Sequence, residues 1–256
     1  MQTLICSKRD GIGWIRFHRP EVRNAVNQQM MTELEQILDE WSIDPEIKVL
    51  VLIGDSKAFA SGGDVAELHQ LKTEQEIYPV MERMGRILER FNQSEKVTIA
   101  AVEGVAVGGG CEIVTSCDFC LASPSAQFGM IQVKLAITAG WGGATRLIRK
   151  VGKSEALKML LTGEKISAEQ AKQIGLVDSL VGSDAFVDEI EQYAKKFTQA
   201  PLSVIQAYKN LTNQMDGVQL NQPLYQLEAT HCSRCWESDE HHQAVESFLQ
   251  RTRKKT

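Results

Sequence analysis

The stretch that decides the fold is residues 104–112, Gly-Val-Ala-Val-Gly-Gly-Gly-Cys-Glu. An apolar run at 97–102 precedes it and a helix-like segment follows, so three consecutive glycines lie between a buried strand and a helix start. Glycine has no Cβ atom, and a helix N-terminus offers unpaired N–H groups and a positive dipole end. We therefore predict an oxyanion site at this turn. One turn of helix would aim the Glu112 carboxylate into the same space.

A second loop repeats this pattern at residues 60–64, Ala-Ser-Gly-Gly-Asp. It follows the aliphatic run 49–53, which predicts a strand covered on both faces, and it leads into a helical segment at 65–72. The chain therefore offers backbone N–H groups at two helix starts. An ordinary left-handed turn at Gly63 and tight packing at either loop are the structural alternatives.

The glycine spacing argues against a nucleotide-phosphate site. The chain has no Gly-x-x-x-x-Gly-Lys-Ser/Thr pattern, and the glycines from 104 to 110 do not open an N-terminal βαβ unit.

Composition limits the class of protein. The chain has 256 residues, 43% of them hydrophobic, and a net charge of -5 without a basic stripe, which argues against nucleic acid as a partner. The start of the chain has no charged region followed by an apolar core, and no apolar run approaches a membrane span. We expect a cytoplasmic protein without a membrane partner.

Two cysteine pairs have zinc-knuckle spacing, Cys117-x-x-Cys120 and Cys232-x-x-Cys235, and His231 lies beside the second pair. Cys117 and Cys120 lie where an apolar helix passes into a strand, which is typical of small buried thiols. We predict no metal site.

The remaining elements alternate between strand and helix patterns. The predicted strands are 11–17, 49–53, 97–102, 119–122 and 176–181. The predicted helices are 28–41, 74–94, 144–150, 154–161 and 167–174, and the chain from 184 onward is essentially all helix. Residues 124–143 predict a loop. This alternation indicates an α/β core with a mostly parallel sheet and a helical tail.

Several motifs in order resemble those of the crotonase superfamily, also called the enoyl-CoA hydratase/isomerase family. They lie at residues 18–27 (His-Arg-Pro-Glu-Val-Arg-Asn-Ala-Val-Asn), 58–64, 101–112, 126–129 (Ala-Gln-Phe-Gly) and 141–147 (Trp-Gly-Gly-Ala-Thr-Arg-Leu). The resemblance extends from about Thr3 to Lys209.

The resemblance implies a fold of stacked ββα turns, with a core at 1–196 and a helical region at 197–256 that mediates trimerisation, usually as a dimer of trimers. It implies an acyl-CoA thioester as substrate and no separate cofactor, since coenzyme A enters as part of the substrate.

The resemblance also implies the site. The backbone amides of Gly63 and Gly109 would form the oxyanion hole, and Glu112 matches the first of two glutamates that hold a water in hydratases. The second position is Gln132. The expected acyl-CoA contacts, besides these four residues, are Arg23, Ala25, Ala60, Gly62, Asp64, Val65, Gly108, Ile131, Ala139, Gly140 and Trp141.

Glutamine cannot exchange a proton near neutral pH, so Gln132 weighs against simple hydration and against isomerisation. Decarboxylation of a malonyl-type thioester such as methylmalonyl- or ethylmalonyl-CoA needs the oxyanion hole but fewer proton relays. The segment 140–143 is similar to the ethylmalonyl-CoA decarboxylase branch, and we expect a lyase of that kind, in which Trp141 shapes the acyl pocket.

Two alternatives remain at the level of function: a 2-enoyl-CoA hydratase that uses a single glutamate, and a catalytically silent CoA-binding or scaffolding protein. Structural alternatives exist for individual residues as well. Gln132 could be a solvated loop residue, Trp141 a core aromatic, and Glu112 an acid favoured by its own helix dipole.

Overall fold

The computed structural model describes residues 1–68, 70–71, 73–182 and 184–215. The chain divides into two compact units, Met1–Thr198 and a second unit from Gln199 onward. The second unit is described through one helix, α9 (Leu202–Met215). Most of the region predicted as helical at 197–256, including the Cys232 and Cys235 pair, lies outside the described residues.

The first unit contains a six-stranded sheet. Its strands, in spatial order, are β1 (Leu4–Arg9), β2 (Ile12–Phe17), β3 (Val49–Ile53), β5 (Val97–Val102), β7 (Phe119–Ala122) and β10 (Ser179–Leu180). All neighbours are parallel except β1 and β2. Strands β3 and β5 are buried at every position, as expected for continuous aliphatic runs in the middle of a covered sheet.

A second, smaller sheet was not predicted from the pattern of the chain. It orders β4 (Ala58–Ala60), β6 (Val105–Val107), β8 (Gln127–Gly129) and β9 (Ile166–Ser167), and β4, β6 and β8 are parallel. Three successive turns of the chain, β3–β4, β5–β6 and β7–β8, each place a longer strand in the first sheet and a three-residue strand in the second. The first sheet confirms the expected mostly parallel sheet, and the stacked ββα turns implied by the resemblance are confirmed as well.

Within the described residues, the first unit has eight helices. They are α1 (Gln28–Ser42), α2 (Val65–Leu68), α3 (Glu74–Asn92), α4 (Gly109–Thr115), α5 (Gly143–Val151), α6 (Lys153–Thr162), α7 (Ala168–Gln173) and α8 (Phe186–Thr198). Helix α2 lies within the predicted segment 65–72, of which residues 69 and 72 are outside the described residues. Among the described residues no helix is both long and apolar enough to cross a membrane.

The helix starts have clear local causes. The Asn27 side chain accepts a 3.0 Å hydrogen bond from the Met30 N–H and so caps α1. Thr73 and Glu76 form a reciprocal capping box at the start of α3. These caps fix the starts of α1 and α3, which pack against each other.

The predicted buried thiols are confirmed for the first pair. Cys117 and Cys120 are buried thiols, as is Cys111. Burial raises the pKa of the Cys111 thiol to about 12, so it remains protonated near neutral pH.

Candidate active site

The two glycine loops lie side by side because the short strands before them pair. Ala60 in β4 pairs with Ala106 in β6, in a parallel register. Gly63 and Gly109 each follow their strand residue by three positions. Adjacent strands are about 4.8 Å apart, so this register places two backbone amides at equivalent points of neighbouring turns.

Both amides are available to a ligand. Within the described part of the chain, neither the Gly63 N–H nor the Gly109 N–H donates a hydrogen bond to the protein. Gly109 is the first residue of α4, where helix geometry leaves the N–H unpaired. The predicted oxyanion donors are thus brought together, and their role stays a prediction.

Two glycines permit the close approach of the two loops, and a third permits the Trp141 ring to pack against them. Gly62 has φ +106, and a Cβ atom there would lie 3.1 Å from the Gly109 nitrogen. A Cβ at Gly110 would lie 1.9 Å from the Ala60 carbonyl oxygen. A Cβ at Gly109 would lie 2.0 Å from Cζ3 of the Trp141 ring. The left-handed residue is therefore Gly62 and not Gly63, and the indole packs directly on the Gly109 backbone.

Glu112 is held at the start of a different helix from its own. Its side chain is only 2% exposed. Oε2 accepts hydrogen bonds from the Trp141 N–H at 2.8 Å and from the Gly143 N–H at 3.0 Å. Gly143 is the first residue of α5, so the carboxylate caps the positive end of that helix. Glu112 therefore lies in the first turn of α4 and also caps the start of α5.

Gln132 meets the other carboxylate oxygen. It lies in a short 3-10 turn, Ile131–Leu135, and its Nε2 donates a 2.9 Å hydrogen bond to Glu112 Oε1. A carboxylate only accepts, so this contact assigns the nitrogen of the amide toward Glu112. The amide oxygen is buried and has no donor among the described residues. Gln132 is 8% exposed, so the solvated-loop alternative was wrong.

A cavity of about 530 Å³ opens onto these groups. Its lining residues are Ser61, Gly62, Gly63, Val65, Leu68, Leu71, Ile77, Met81, Gly108, Gly109, Glu112, Ile131, Gln132, Leu135, Ile137, Thr138, Gly140 and Trp141. The walls are mostly aliphatic, and the polar groups are few and grouped around Glu112. This combination suits a ligand with an apolar body and one reactive polar end.

Most of the predicted contacts line this cavity, and five do not. The five outside the lining are Arg23, Ala25, Ala60, Ala139 and Asp64. Ala60 is fully buried in β4, and Arg23 is an exposed residue with φ 54.

Asp64, which was predicted to contact the ligand, forms an ion pair within the protein. Its Oδ2 pairs with the Arg19 guanidinium at 2.9 Å. The backbone of Val26 forms a parallel bridge with Gly63, and the Ser61 N–H donates to the Arg23 carbonyl at 3.1 Å. The motif at 18–27 is therefore tied to the second glycine loop through backbone bonds and one ion pair.

Arg146 was not singled out by the sequence analysis, although it lies in the quoted motif 141–147. It is 6% exposed, and its Nη2 donates a 2.6 Å hydrogen bond to the Trp141 carbonyl. Ile77 and Met81 of α3 were also missed, because an amphipathic helix pattern does not distinguish a cavity wall from a core face.

These features define a crotonase-type fold with paired backbone amides beside a buried glutamate. The chain belongs to the enoyl-CoA hydratase/isomerase family, whose family model matches residues 7–255. The prediction that the chain is an enzyme of the lyase class is confirmed at this level.

Individual relatives agree with the family. The chain is 35% identical over 251 residues to the 2,3-dehydroadipyl-CoA hydratase of Escherichia coli, covering 98% of this chain and 97% of the relative. It is 33% identical over 234 residues to a probable enoyl-CoA hydratase of Rhizobium meliloti, covering 88% and 89%. A crystal structure of an enoyl-CoA hydratase from Bacillus anthracis superposes with a TM-score of 0.91 at 26% identity, covering 98% and 97%.

Proposed function

We propose that this enzyme hydrates a 2-enoyl-CoA thioester with Glu112 as its one acid–base group. The observation that carries the proposal is the setting of Glu112, a nearly inaccessible carboxylate that lines the cavity beside two backbone amides that have no acceptor among the described residues. The sequence analysis expected decarboxylation. The names of the two relatives above support hydration better.

The reaction follows from the positions of these groups. The N–H groups of Gly63 and Gly109 bind the thioester oxygen and stabilise the enolate that forms when water adds to C3. Glu112 accepts a proton from the attacking water as the new C–O bond forms. The same carboxyl group then returns that proton to C2, and the enolate collapses to the 3-hydroxyacyl thioester. One water is added, and no cofactor is needed.

Gln132 orients the water in this proposal. Its amide nitrogen is committed to Glu112 Oε1, so its oxygen is the free acceptor. A water that donates one hydrogen to Glu112 and one to Gln132 would satisfy this buried oxygen, which otherwise costs about 1–3 kcal/mol. A glutamine can therefore replace the orienting role of a second glutamate but not its proton exchange.

The cavity walls support a hydrocarbon acyl chain. Val65, Leu68, Ile77 and Met81 supply aliphatic surface on one side. The Trp141 ring lies against Gly109, which supports a role for this side chain in shaping the space next to the thioester. We propose 2-enoyl-CoA substrates with an uncharged, unbranched chain.

The test is to incubate the purified protein separately with crotonyl-CoA, ethylmalonyl-CoA and methylmalonyl-CoA and to follow the thioesters by mass. Gain of one water by crotonyl-CoA supports hydration. Glu112→Gln, which keeps the shape of the side chain, should reduce that rate by about 10²- to 10⁴-fold.

One observation favours a second candidate. No second carboxylate stands at position 132, and decarboxylation of a malonyl-type thioester generates the enolate without a base. Loss of CO2 from ethylmalonyl- or methylmalonyl-CoA, with no hydration of crotonyl-CoA, would replace the main proposal. A protein that binds these thioesters and converts none of them would be a silent CoA-binding member.

We also propose that the enzyme is a homotrimer or a dimer of trimers in the cytoplasm. An apolar patch on α6 supports self-association, because Leu157 and Leu161 are 38% and 70% exposed. Free buried thiols such as Cys111 and Cys120 are typical of a reducing compartment. Light scattering of the purified chain tests the oligomer.

A further inference from the structure

We propose that Arg146 is a positioning residue that holds the 141–143 turn around the Glu112 carboxylate. This inference rests on the proposed role of Glu112 as the acid–base group. It gives a structural role to Arg146, a buried cation that neither lines the cavity nor contacts the Glu112 carboxylate.

The turn is held from both sides. On one side, Arg146 Nη2 donates to the Trp141 carbonyl at 2.6 Å. On the other side, the Trp141 N–H donates to Glu112 Oε2 at 2.8 Å, and the Gly143 N–H donates to the same oxygen at 3.0 Å. Arg146 fixes the Trp141 carbonyl and therefore determines how the Trp141 N–H is directed toward Glu112.

The guanidinium also packs against the middle of the turn. Gly142 has φ +81, and a Cβ atom there would lie 2.7 Å from Arg146 Nη1. The Arg146 backbone N–H donates to the Gly142 carbonyl at 3.3 Å. The planar group thus supports Trp141 and Gly142 together, which a single-point cation such as lysine cannot do.

This placement has an electrostatic cost. Arg146 lies near the start of α5, where the helix dipole disfavours a cation, and burial removes the guanidinium from water. Burial lowers the pKa of Arg146, and the negative charges of Glu89 and Glu112 oppose that effect. Glu89 approaches Nη1 only to 3.6 Å and is half-exposed. An apolar side chain would fill the space without that cost, so what arginine adds is the hydrogen bond to Trp141 together with the contact to Gly142.

The consequence concerns the geometry of proton transfer. Both N–H groups that orient Oε2 belong to this turn, and an error of about 1 Å in the position of a catalytic group can cost about 100-fold in rate. Most of the cavity lining lies outside this turn, on the glycine loops and on the apolar side chains of α2 and α3. Loss of Arg146 should therefore reduce kcat more than it raises KM.

The test compares Arg146→Met, Arg146→Lys and Arg149→Met in the full-length protein. Arg149 is an exposed residue of the same helix and provides the matched control. We expect kcat for crotonyl-CoA hydration to fall by roughly 10- to 100-fold in Arg146→Met, with partial recovery in Arg146→Lys and no change in Arg149→Met.

Hydrogen exchange of the Trp141 and Gly143 amides gives a readout that does not depend on turnover. Faster exchange in Arg146→Met than in Arg149→Met supports the positioning role, even if the wild-type protein hydrates nothing and the proposed function fails. A folded Arg146→Met protein with wild-type exchange and wild-type kcat overturns the inference. If that variant does not fold, Arg146→Lys decides: wild-type values of both quantities overturn the inference, and intermediate values support it.

Discussion

Gly143 leaves no space for a side chain beside Glu112. A Cβ atom at position 143 would lie 2.3 Å from the Glu112 Cγ and 2.8 Å from its Oε2. The smallest side chain must therefore displace the proposed acid–base group. Because Gly143 is also the first residue of α5, the position of the Glu112 carboxylate depends on the position of that helix start.

Gly143→Ala should lower kcat for crotonyl-CoA hydration by about 100-fold, because the carboxylate moves away from the water it must deprotonate. Steady-state kinetics together with a thermal unfolding curve separate this effect from unfolding. A folded variant with full activity would contradict the assignment of Glu112.

Gly85→Ala is the matched glycine substitution with the opposite expectation. Gly85 lies inside α3, and the nearest atoms to an added Cβ are 3.9 Å away, in the Trp141 backbone. Alanine should stabilise the fold by about 0.5–1 kcal/mol, since it has a higher helix propensity. Urea unfolding checks this value, and activity should remain unchanged.

Gln132→Leu should reduce hydration by about 10- to 100-fold, because the variant keeps the approximate size of the side chain but loses both contacts to the proposed water and to Glu112. Binding of an unreactive acyl-CoA, measured by calorimetry, should be retained. Gln132→Glu provides the opposing experiment. If it creates hydration that the wild-type protein lacks, native hydratase function fails.

Trp141→Ala should destabilise the protein by about 3–5 kcal/mol and open the cavity next to the thioester. The ratio of kcat/KM for a 2-methyl-branched enoyl-CoA to that for crotonyl-CoA should rise, because the ring no longer covers Gly109. Competition between the two substrates measures this ratio. Trp141→Phe should leave it nearly unchanged, and an unaltered ratio in both variants would show that Trp141 is only a core aromatic.

Glu33 should make stability depend on pH in the acid range. Burial raises its pKa, but hydrogen bonds from the Gln2 N–H, the Gln29 amide and the Thr3 N–H and hydroxyl outweigh burial and lower the pKa to about 2. A carboxylate with a lowered pKa stabilises the fold fully above its unfolded value of 4.5, and this contribution disappears as pH falls toward about 2. Glu33→Gln should lower the free energy of unfolding by about 2 kcal/mol at pH 7, and the difference from wild type should shrink below pH 4.5. Urea titrations at neutral and acid pH measure this difference in the free energy of unfolding. A difference that stays constant with pH would contradict the assignment to Glu33.

The first sheet and the long helices were predictable because their patterns are strong and local. The aliphatic run at 49–53 became β3, and the apolar stripe of 28–41 became the buried face of α1. Strand β1 was missed because Leu4–Arg9 is an edge strand with mostly exposed side chains. The second sheet was missed because strands such as β4 and β6 are only three residues long, too short to show a period.

The site was partly predictable for a similar reason. Runs of glycine mark close backbone approach, so both loops could be located from the chain alone. The direction of a side chain is a tertiary property. Asp64 turns to Arg19 and away from the cavity, and Arg146 turns back to Trp141, and neither contact follows from spacing.

The pairing of Ala60 with Ala106 has an evolutionary consequence. Since strand pairing sets the spacing of the Gly63 and Gly109 amides, no side chain has to maintain it, and the proposed anion-binding pair can persist when the residues around it change. New chemistry can then arise by exchanging a few cavity residues, without rebuilding the backbone that stabilises the enolate in the proposed mechanism.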